Sequence, residues 1–379
     1  MLRWGSGSRF RSPCGRLERG EGNWGVEHAV MRLWRRPVGS APPAHPEAGL
    51  ETAPRAQRRA LLVCAGLALL PFLFFWRVWW PDASRRYVFA YGDFVEQHYP
   101  LRTVAAQELR AARLPLWDPY TFAGQPLAAV SIAAAFYPLG LPEALWPRLP
   151  FLVLELEAIA HLSLAAVGAY LLARELTGCD GAAALAGIAF GLGGYLTSYP
   201  LLQMEIVQTA AWLPAALWLL ERGLRRRSWL HLAGAGVALG LSFLGGHPQT
   251  WLYVAYLAGA YLVFRSLGLK NGATDGAQTY PPRSARPPSP HGSGLTNSFT
   301  RIASAAGAAL LVVAFALAVS APAMLATGEL AQLTGRNVRG YEALSGGFAV
   351  RELWGLLRPN PGQWSPLYVG ALPLALGAL

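Results

Sequence analysis

The residues best suited to chemistry lie in one polar stretch, Tyr91–Pro100. It contains Asp93, Glu96, Gln97 and His98, in a chain of 379 residues that has only five Asp. If the stretch is helical, spacings of three and four residues place the two carboxylates and the amide on one face. Asp93 and Glu96 could then bind a divalent cation through their oxygens, or either of them could act as a general base on a hydroxyl group. The alternative is a solvated interfacial helix that Asp93 caps.

An aromatic loop follows, between Arg113 and Pro126. Its candidate substrate-binding side chains are Trp117, Asp118 and Tyr120. The prolines and glycine of this loop favour a rigid turn structure. Aromatic faces beside a few polar groups suit carbohydrate binding, and they suit anchoring at a membrane interface equally well.

Two further pairs of polar residues are candidates for substrate binding. His247 and Gln249 lie in a Gly-His-Pro-Gln turn between two apolar segments. His247 could be a turn residue only, or it could donate a hydrogen bond to a phosphate or sugar oxygen. Arg336 and Arg339 are three residues apart. Arginine is well shaped for bidentate phosphate contacts, although this pair could equally bind lipid headgroups.

Ionisable residues also interrupt an apolar segment that is long enough to cross a membrane. Glu157 and His161 are four residues apart, so they share a helix face. Because ionisable residues inside a membrane are costly, they indicate either a functional relay or a hydrogen-bonded pair that packs helices together. Gln203 and Glu205, at the turn between two apolar segments, could line the same outer cavity as Asp93.

The composition determines which elements have to hold these residues. The chain is 53% hydrophobic and only 14% charged, whereas soluble domains average about 25% charged residues. This composition excludes an ordinary soluble domain, and the 43 aromatic residues exclude disorder over the whole length. The net charge of +11 is not accompanied by a basic helix interleaved with aromatics, so a nucleic-acid partner is not expected. The sequence predicts an all-α polytopic membrane protein in a lipid bilayer.

Apolar runs predict about seven complete spans and one that is cut off. The first, Ala60–Trp80, is long enough for about 30 Å of hydrocarbon. Pro126–Trp146 is broken by Pro138 and Pro142, so it is either a re-entrant or interfacial pair of helices or a true span. A last span begins near Pro366 and stops at the chain end, which predicts a truncated C-terminus. The other predicted spans are Phe151–Ala173, Ala182–Pro200, Glu205–Leu220, Trp229–Gly245, Thr250–Phe264 and Ile302–Thr327.

The basic residues predict the topology. Residues 1–59, rich in Arg, Pro and Gly, are expected to form a disordered cytoplasmic tail ahead of a multispanning domain at 60–379. The short basic cluster Arg222–Arg227 lies between two predicted spans, and the positive-inside rule then puts the N-terminus inside. The remaining segments are the outer loops 81–125 and 328–365 and the cytoplasmic linker 267–298.

Six short motifs, spread from about Ala60 to the chain end, carry a family resemblance. They are Asp93-x-x-x-Gln97-x-x-Pro100, Leu114-Pro115-Leu116-Trp117-Asp118-Pro119-Tyr120, Gly124-x-Pro126, Phe136-Tyr137-Pro138, Gly246-His247-Pro248-Gln249 and Tyr368-Val369-Gly370. Together they resemble the YfhO-like bacterial membrane proteins, a family regarded as related to the GT-C glycosyltransferases. The resemblance implies a GT-C-like fold. Members of that family are usually longer, which again predicts a missing C-terminal part.

The resemblance also implies a function. GT-C enzymes transfer sugars from polyprenyl-phosphate carriers outside the cytoplasmic membrane, and an acidic residue of the first outer loop is catalytic. Asp93 matches that position, as base or metal ligand, with Glu96 in support. The expected partners are a polyprenyl-phosphate sugar donor and an envelope glycan acceptor, with a divalent cation as a possible cofactor. The alternatives are a transporter or lipid-linked sugar flippase without chemistry, and a non-catalytic subunit of an envelope-assembly complex.

Overall fold

The described part of the chain is a bundle of α-helices. The computed structural model describes residues 53–266 and 294–333. Within these two ranges no β-strand forms, and the β-type pairing consists of one isolated bridge between Asp118 and Gln125. The predicted all-α fold class is therefore confirmed.

The helices follow one another along the chain with short connections. The main ones are α1 (Ala53–Phe74), α2 (Tyr99–Arg110), α3 (Phe151–Thr177), α4 (Asp180–Gly191), α5 (Met204–Ala210), α6 (Leu213–Arg226), α7 (Trp229–Leu244), α8 (Pro248–Ser266) and α9 (Gly294–Leu333). Shorter helical turns lie between them at Ala83–Arg85, Phe94–His98, Leu127–Ala129, Ser131–Ala133, Pro138–Leu145, Gly194–Thr197 and Tyr199–Leu202.

Within the described ranges, three helical stretches are long and apolar enough to cross a membrane. They are Arg55–Phe74, Phe151–Thr177 and Ala303–Leu333, and a shorter apolar helix spans Trp229–Leu244. A span needs roughly 20 residues, because each residue of an α-helix rises about 1.5 Å. The chain is thus a multi-pass membrane protein, while the predicted total of seven complete spans stays a prediction.

Two predicted spans are divided in the structure. Ala182–Pro200 contains α4, which ends at Gly191, and is then broken into four-residue turns. Glu205–Leu220 is shared between α5 and α6, with Pro214 in the first turn of α6. Glycine and proline account for the breaks, because glycine weakens a helix and proline cannot donate the hydrogen bond that a continuous helix needs.

The segment Pro126–Trp146 contains no helix long enough to cross a membrane. It forms three short 3₁₀ stretches, the longest being Pro138–Leu145. The structure therefore agrees with the non-spanning alternative. Its prolines explain this, since Pro142 lies inside the longest stretch and interrupts the helical hydrogen-bond pattern.

Helix α3 lies at the centre of the bundle and packs against α1, α4 and α6. The contact with α4 is close because Gly187 faces Ala166, and a Cβ atom on Gly187 would lie only 2.7 Å from the Ala166 carbonyl oxygen. Helix α7 approaches α9 equally closely at Gly236, where an added Cβ atom would lie 2.4 Å from the Val312 carbonyl oxygen. Small residues at such contacts let helices pack tightly where lipid surrounds both.

Several predictions fall outside the described residues. They concern most of the tail at 1–59, most of the linker at 267–298, most of the outer loop at 328–365, the last span near Pro366, and the pair Arg336 and Arg339.

The close α3–α4 contact predicts the effect of one added methyl group. Gly187→Ala should lower the unfolding temperature, because overpacking at the Ala166 carbonyl oxygen costs about 1–3 kcal/mol. Gly259→Ala is the matched control, since Gly259 also lies inside a helix but an added Cβ atom meets nothing within 4 Å. Thermal unfolding of both variants in detergent checks this. Equal unfolding temperatures for the two variants would contradict the α3–α4 packing.

Candidate functional site

Two amide groups bind the carboxylate of Asp93. Gln97 donates its Nε2–H to Asp93 Oδ1 at 2.6 Å, and Gln203 donates its Nε2–H to Oδ2 at 2.5 Å. The four-residue spacing that the sequence analysis used for Asp93 and Gln97 therefore forms a contact. Asp93 occupies the N-cap position of the helical turn that follows, as the alternative interpretation expected, but its side chain makes no capping hydrogen bond there.

The local backbone explains why Asp93 is presented in this way. Gly92 has a φ angle of +61°, a left-handed conformation that lets the chain turn sharply before the helix begins. Residues Phe94–His98 then form a π-helical turn, and the N–H of Tyr99 donates to the carbonyl oxygen of Phe94. Such turns are rare and are frequent at functional sites.

Glu96 does not share this arrangement. Its side chain is exposed, and no hydrogen bond joins it to Asp93 in the described part of the chain. The described residues also contain no group of three His, Cys, Asp or Glu side chains arranged to hold a metal ion. The predicted roles of Glu96 as a supporting acid and of Asp93 as a metal ligand remain predictions.

A buried contact between a histidine and a carboxylate follows Asp93 along the chain. His98 Nε2 and Glu205 Oε2 are 2.6 Å apart, and both side chains are almost completely buried. His98 follows Asp93 by five residues, and Glu205 follows Gln203 by two. The segment that leads into α2 thus contacts the segment that begins α5 at two consecutive points.

One helical turn after His98 and Glu205, side chains of α2 and α5 both contact α3. Arg102 lies on α2, four residues after His98, and donates from Nε to both carboxylate oxygens of Glu143 at 3.0 Å. Its Nη2 donates to both oxygens of Glu157 on α3, also at 3.0 Å. Gln208, three residues after Glu205 on α5, donates to Glu157 Oε1 at 2.8 Å. Arg102 therefore ties together α2, α3 and the Pro138–Leu145 segment.

The aromatic side of this network is also fully hydrogen-bonded. Tyr137 and His161 are joined through the Tyr hydroxyl and His Nε2 at 2.6 Å, and Trp212 Nε1–H donates to the same hydroxyl at 2.8 Å. His161 Nδ1 lies 2.7 Å from the backbone carbonyl oxygen of Glu157, so a neutral ring donates from Nδ1 and accepts at Nε2. His161 therefore contacts the Glu157 backbone, and the Glu157 carboxylate binds Arg102 and Gln208 instead.

The network has more negative than positive charge when both carboxylates are ionised. Glu143 and Glu157 share the single guanidinium of Arg102. Burial raises the pKa of Glu143 to about 8, Arg102 opposes this shift, and the Glu157 carboxylate adds to it. Two carboxylates that share a buried site commonly retain one proton in this way.

His247 lies in the turn before α8 and caps that helix. Its Nδ1 accepts the backbone N–H of Thr250 at 3.0 Å, which in a neutral ring leaves the proton on Nε2. Its own backbone N–H donates to the Thr209 hydroxyl at 3.2 Å. Burial lowers the pKa of His247 and the nearby Glu205 opposes this. Gln249, in contrast, donates to Tyr253 on its own helix.

The aromatic loop is closed by Asp118. This residue is 1% exposed, accepts the backbone N–H of Tyr120 at 2.9 Å, and exchanges two backbone hydrogen bonds with Gln125. Burial raises the pKa of Asp118, but hydrogen bonds from Thr121, Tyr120 and Gln125 outweigh it, so the pKa lies below its ordinary value. Asp118 thus holds the loop, whereas Trp117 and Tyr120 are 54% and 77% exposed.

Sequence reasoning missed the residues that hold the site together: Arg102, Glu143 and Gln208. A weak signal existed for Arg102, since it lies one helical turn after His98. Its partners could not be predicted, because Glu143 and Glu157 follow it by 41 and 55 residues. Arg336 and Arg339, predicted to bind phosphate, lie outside the described residues.

Comparison with known proteins adds one finding. Residues 150–273 match the family model of dolichyl-phosphate-mannose-protein mannosyltransferases. The chain is a multi-pass, glycosyltransferase-like membrane protein. The matched segment contains α3 to α8, and therefore Glu157, Gln203, Glu205 and His247, but neither Asp93 nor the aromatic loop. No curated protein and no solved structure matches the chain. The resemblance to YfhO-like proteins stays a prediction.

The buried network predicts a strong effect of removing its only guanidinium. Arg102→Gln leaves two carboxylates without a cation, which should destabilise the fold by about 3–5 kcal/mol. Removing one carboxylate as well, in Arg102→Gln with Glu143→Gln, should restore part of that loss. The control is Arg113→Gln, because Arg113 pairs with Glu108 at the surface and such pairs contribute at most about 1 kcal/mol. Denaturant titration in detergent measures all three. A loss for Arg102→Gln no larger than for Arg113→Gln would show that the network is not closed as described.

Proposed function

We propose that this protein is an extracytoplasmic glycosyltransferase that moves a sugar from a polyprenyl-phosphate donor to an acceptor of the bacterial cell envelope. The observation that carries the proposal is the hydrogen bond that Gln203 donates to the Asp93 carboxylate. Gln203 belongs to the mannosyltransferase-like segment, and Asp93 comes from the preceding outer loop. The outer-loop Asp that the family resemblance matches to the catalytic acid is thus joined to the segment with independent similarity to sugar transferases.

The chemistry assigned to Asp93 is that of a general base. An acceptor hydroxyl loses its proton to the Asp93 carboxylate while its oxygen forms a bond to the anomeric carbon of the sugar. The bond between that carbon and the lipid-phosphate oxygen breaks, and the phosphate leaves with the bonding electron pair. Gln97 and Gln203 hold the carboxylate in one orientation, and a positioned base of this kind contributes about 10²–10⁴-fold to a rate.

A divalent cation would be a further means to stabilise the departing phosphate. The described residues offer no cluster of three metal ligands at this place, so no step is assigned to a metal. The charged partners that we propose for the phosphate are Arg336 and Arg339. His247 is a further donor, because its Nδ1 already accepts a hydrogen bond and its Nε2–H is the donor left for a substrate oxygen.

The exposed rings of Trp117 and Tyr120 are proposed to form the sugar or lipid platform. The loop that carries them is rigid: a Cβ atom on Gly124 would lie 2.5 Å from the Trp117 ring, and Asp118 closes the turn. Glu96, exposed on the same segment as Asp93, is proposed as an auxiliary acid for the acceptor.

The distribution of arginines supports a topology with the N-terminus inside the cell. Arg225, Arg226 and Arg227 are exposed at the C-terminal end of α6. Asp93 contacts Gln203 just before α5, at the other end of the path that α5 and α6 form. Basic residues concentrate on the cytoplasmic side of membrane proteins, which supports the proposal that Asp93 faces the outer side of the cytoplasmic membrane.

The rival transporter hypothesis used Glu157, His161 and Glu205 as a relay. In the structure, Glu157 binds Arg102 and Gln208, His161 binds Tyr137, and Glu205 pairs with His98. These contacts suit a static polar core better than a path along which charge moves.

The first test is transfer by the Asp93→Asn variant of the full chain, reconstituted in lipid. With labelled polyprenyl-phosphate mannose and an envelope glycan acceptor, transfer should fall at least about a hundredfold, while binding of the labelled donor is retained. Glu108→Gln is the control, because Glu108 is an acid on α2 that pairs with surface Arg113. Unchanged transfer in Asp93→Asn rejects the site. If the unmodified protein flips the donor across the membrane without transferring the sugar, the flippase hypothesis is favoured. If it shows neither activity, the assembly-subunit hypothesis is favoured.

The second test concerns the positioning role of Gln203. Gln203→Leu removes the donor to Asp93 Oδ2 and should lower kcat by about tenfold with little change in the KM for the donor. Gln203→Asn, which retains an amide, should recover part of the loss. A change in KM alone would mean that Gln203 contacts the donor and does not position the base.

A further inference from the structure

An apolar groove lies between the Pro138–Leu145 segment and α3, away from Asp93. Its volume is about 400 Å³, within the range of about 300–1,000 Å³ typical of small-molecule sites. The apolar walls consist of Leu139, Pro142, Trp146, Val153, Leu156 and Leu164. Along α3 the lining runs from Val153 to Leu164, which corresponds to about 16 Å of helix. These dimensions suit a hydrocarbon chain that lies along the helix.

Two of the three ionisable side chains that line the groove are the carboxylates of Glu143 and Glu157. The third is His161, whereas Arg102, which binds both Glu143 and Glu157, is not a lining residue. His161 already contacts Tyr137 through Nε2. A head group in this groove therefore meets carboxylate oxygens and no cation among the lining residues.

These carboxylates can accept further hydrogen bonds. Oε2 of Glu143 and Oε2 of Glu157 each accept one bond, from Arg102, and an ionised carboxylate has about four lone-pair positions. With both groups ionised, the Arg102 guanidinium neutralises only one of the two negative charges. Without a further cation Glu143 retains a proton, as its raised pKa indicates, and a bound ammonium takes the place of that proton as the second positive charge.

We propose that the groove binds an amphiphile with a primary-amine head, whose ammonium contacts Glu143 and Glu157 and whose chain lies along α3. A phosphate head is disfavoured because it would add negative charge beside the two carboxylates. The assignment is independent of the proposed transferase function. It implies that the phosphate of a polyprenyl-phosphate donor binds elsewhere on the protein.

The test compares three photoreactive probes with the same twelve-carbon diazirine chain: a dodecylamine, a dodecanol and a dodecyl phosphate. The full chain in phosphatidylcholine nanodiscs is irradiated with each, and labelled peptides are mapped by mass spectrometry. Labelling of residues 138–146 and 151–164 should be strongest with the amine and weakest with the phosphate. The two should differ by at least about tenfold, as expected for one charge-assisted contact.

Three variants tie the labelling to the groove. Ala160→Phe places a ring in the groove from an exposed lining position and should abolish labelling by all three probes. Ala182→Phe, at an exposed alanine of α4 that does not line the groove, should leave labelling unchanged. Glu143→Gln should lower amine labelling about tenfold and leave dodecanol labelling intact.

Two results would overturn the proposal. One is phosphate labelling that equals or exceeds amine labelling, which would point to Arg110, the donor to the Leu145 carbonyl oxygen, as the recruiting group. The other is amine labelling that Ala160→Phe does not reduce. If Glu143→Gln does not fold, the ranking of the three probes on the unmodified chain still decides.

Discussion

The guanidinium of Arg102 lies between two carboxylates that the fold has removed from water. Glu143 comes from the 3₁₀ segment before α3, and Glu157 from α3 itself, so one side chain of α2 fixes both. A buried carboxylate without a cation is very costly, and the position of α2 is therefore constrained by charge as well as by apolar packing. Gln208 adds α5 to the same set of contacts.

The proposed transferase site depends on this constraint. Two contacts lie N-terminal to Arg102 along the chain. His98 pairs with Glu205, and Asp93, further towards the N-terminus, binds Gln203. Each of these two contacts joins a residue just before α2 to a residue at or just before α5. Buried Phe94 packs in the same apolar cluster as Met204, so the polar contacts are lined up by a common core. Asp93 is thus held at the end of a series whose fixed point is the Arg102 ion pair.

The sequence predicted what is local and missed what is distant. The spacing of Asp93 and Gln97 predicted their contact, because residues four apart in a helical segment meet regardless of the fold. The same rule applied to Glu157 and His161 was only half right: the two meet through the Glu157 backbone, since Arg102 competes for the carboxylate. The all-α membrane class followed from composition. Composition did not predict the breaks within two predicted spans. Hydropathy measures apolar content and does not show where glycine or proline ends a helix.

Replacement of a buried ion pair by apolar residues of similar volume is often neutral or stabilising, so stability alone does not explain Arg102 and its two carboxylates. Two other properties of the cluster do. It joins elements that apolar contacts alone would allow to slide past each other, and it does so with two carboxylates for one guanidinium. Each carboxylate joins a different element to α2, since Glu143 lies in the 3₁₀ segment and Glu157 on α3. Both carboxylates also line the groove beside α3, where their second negative charge is balanced by a retained proton or by a bound cation, and this is the physical basis for expecting a cation there.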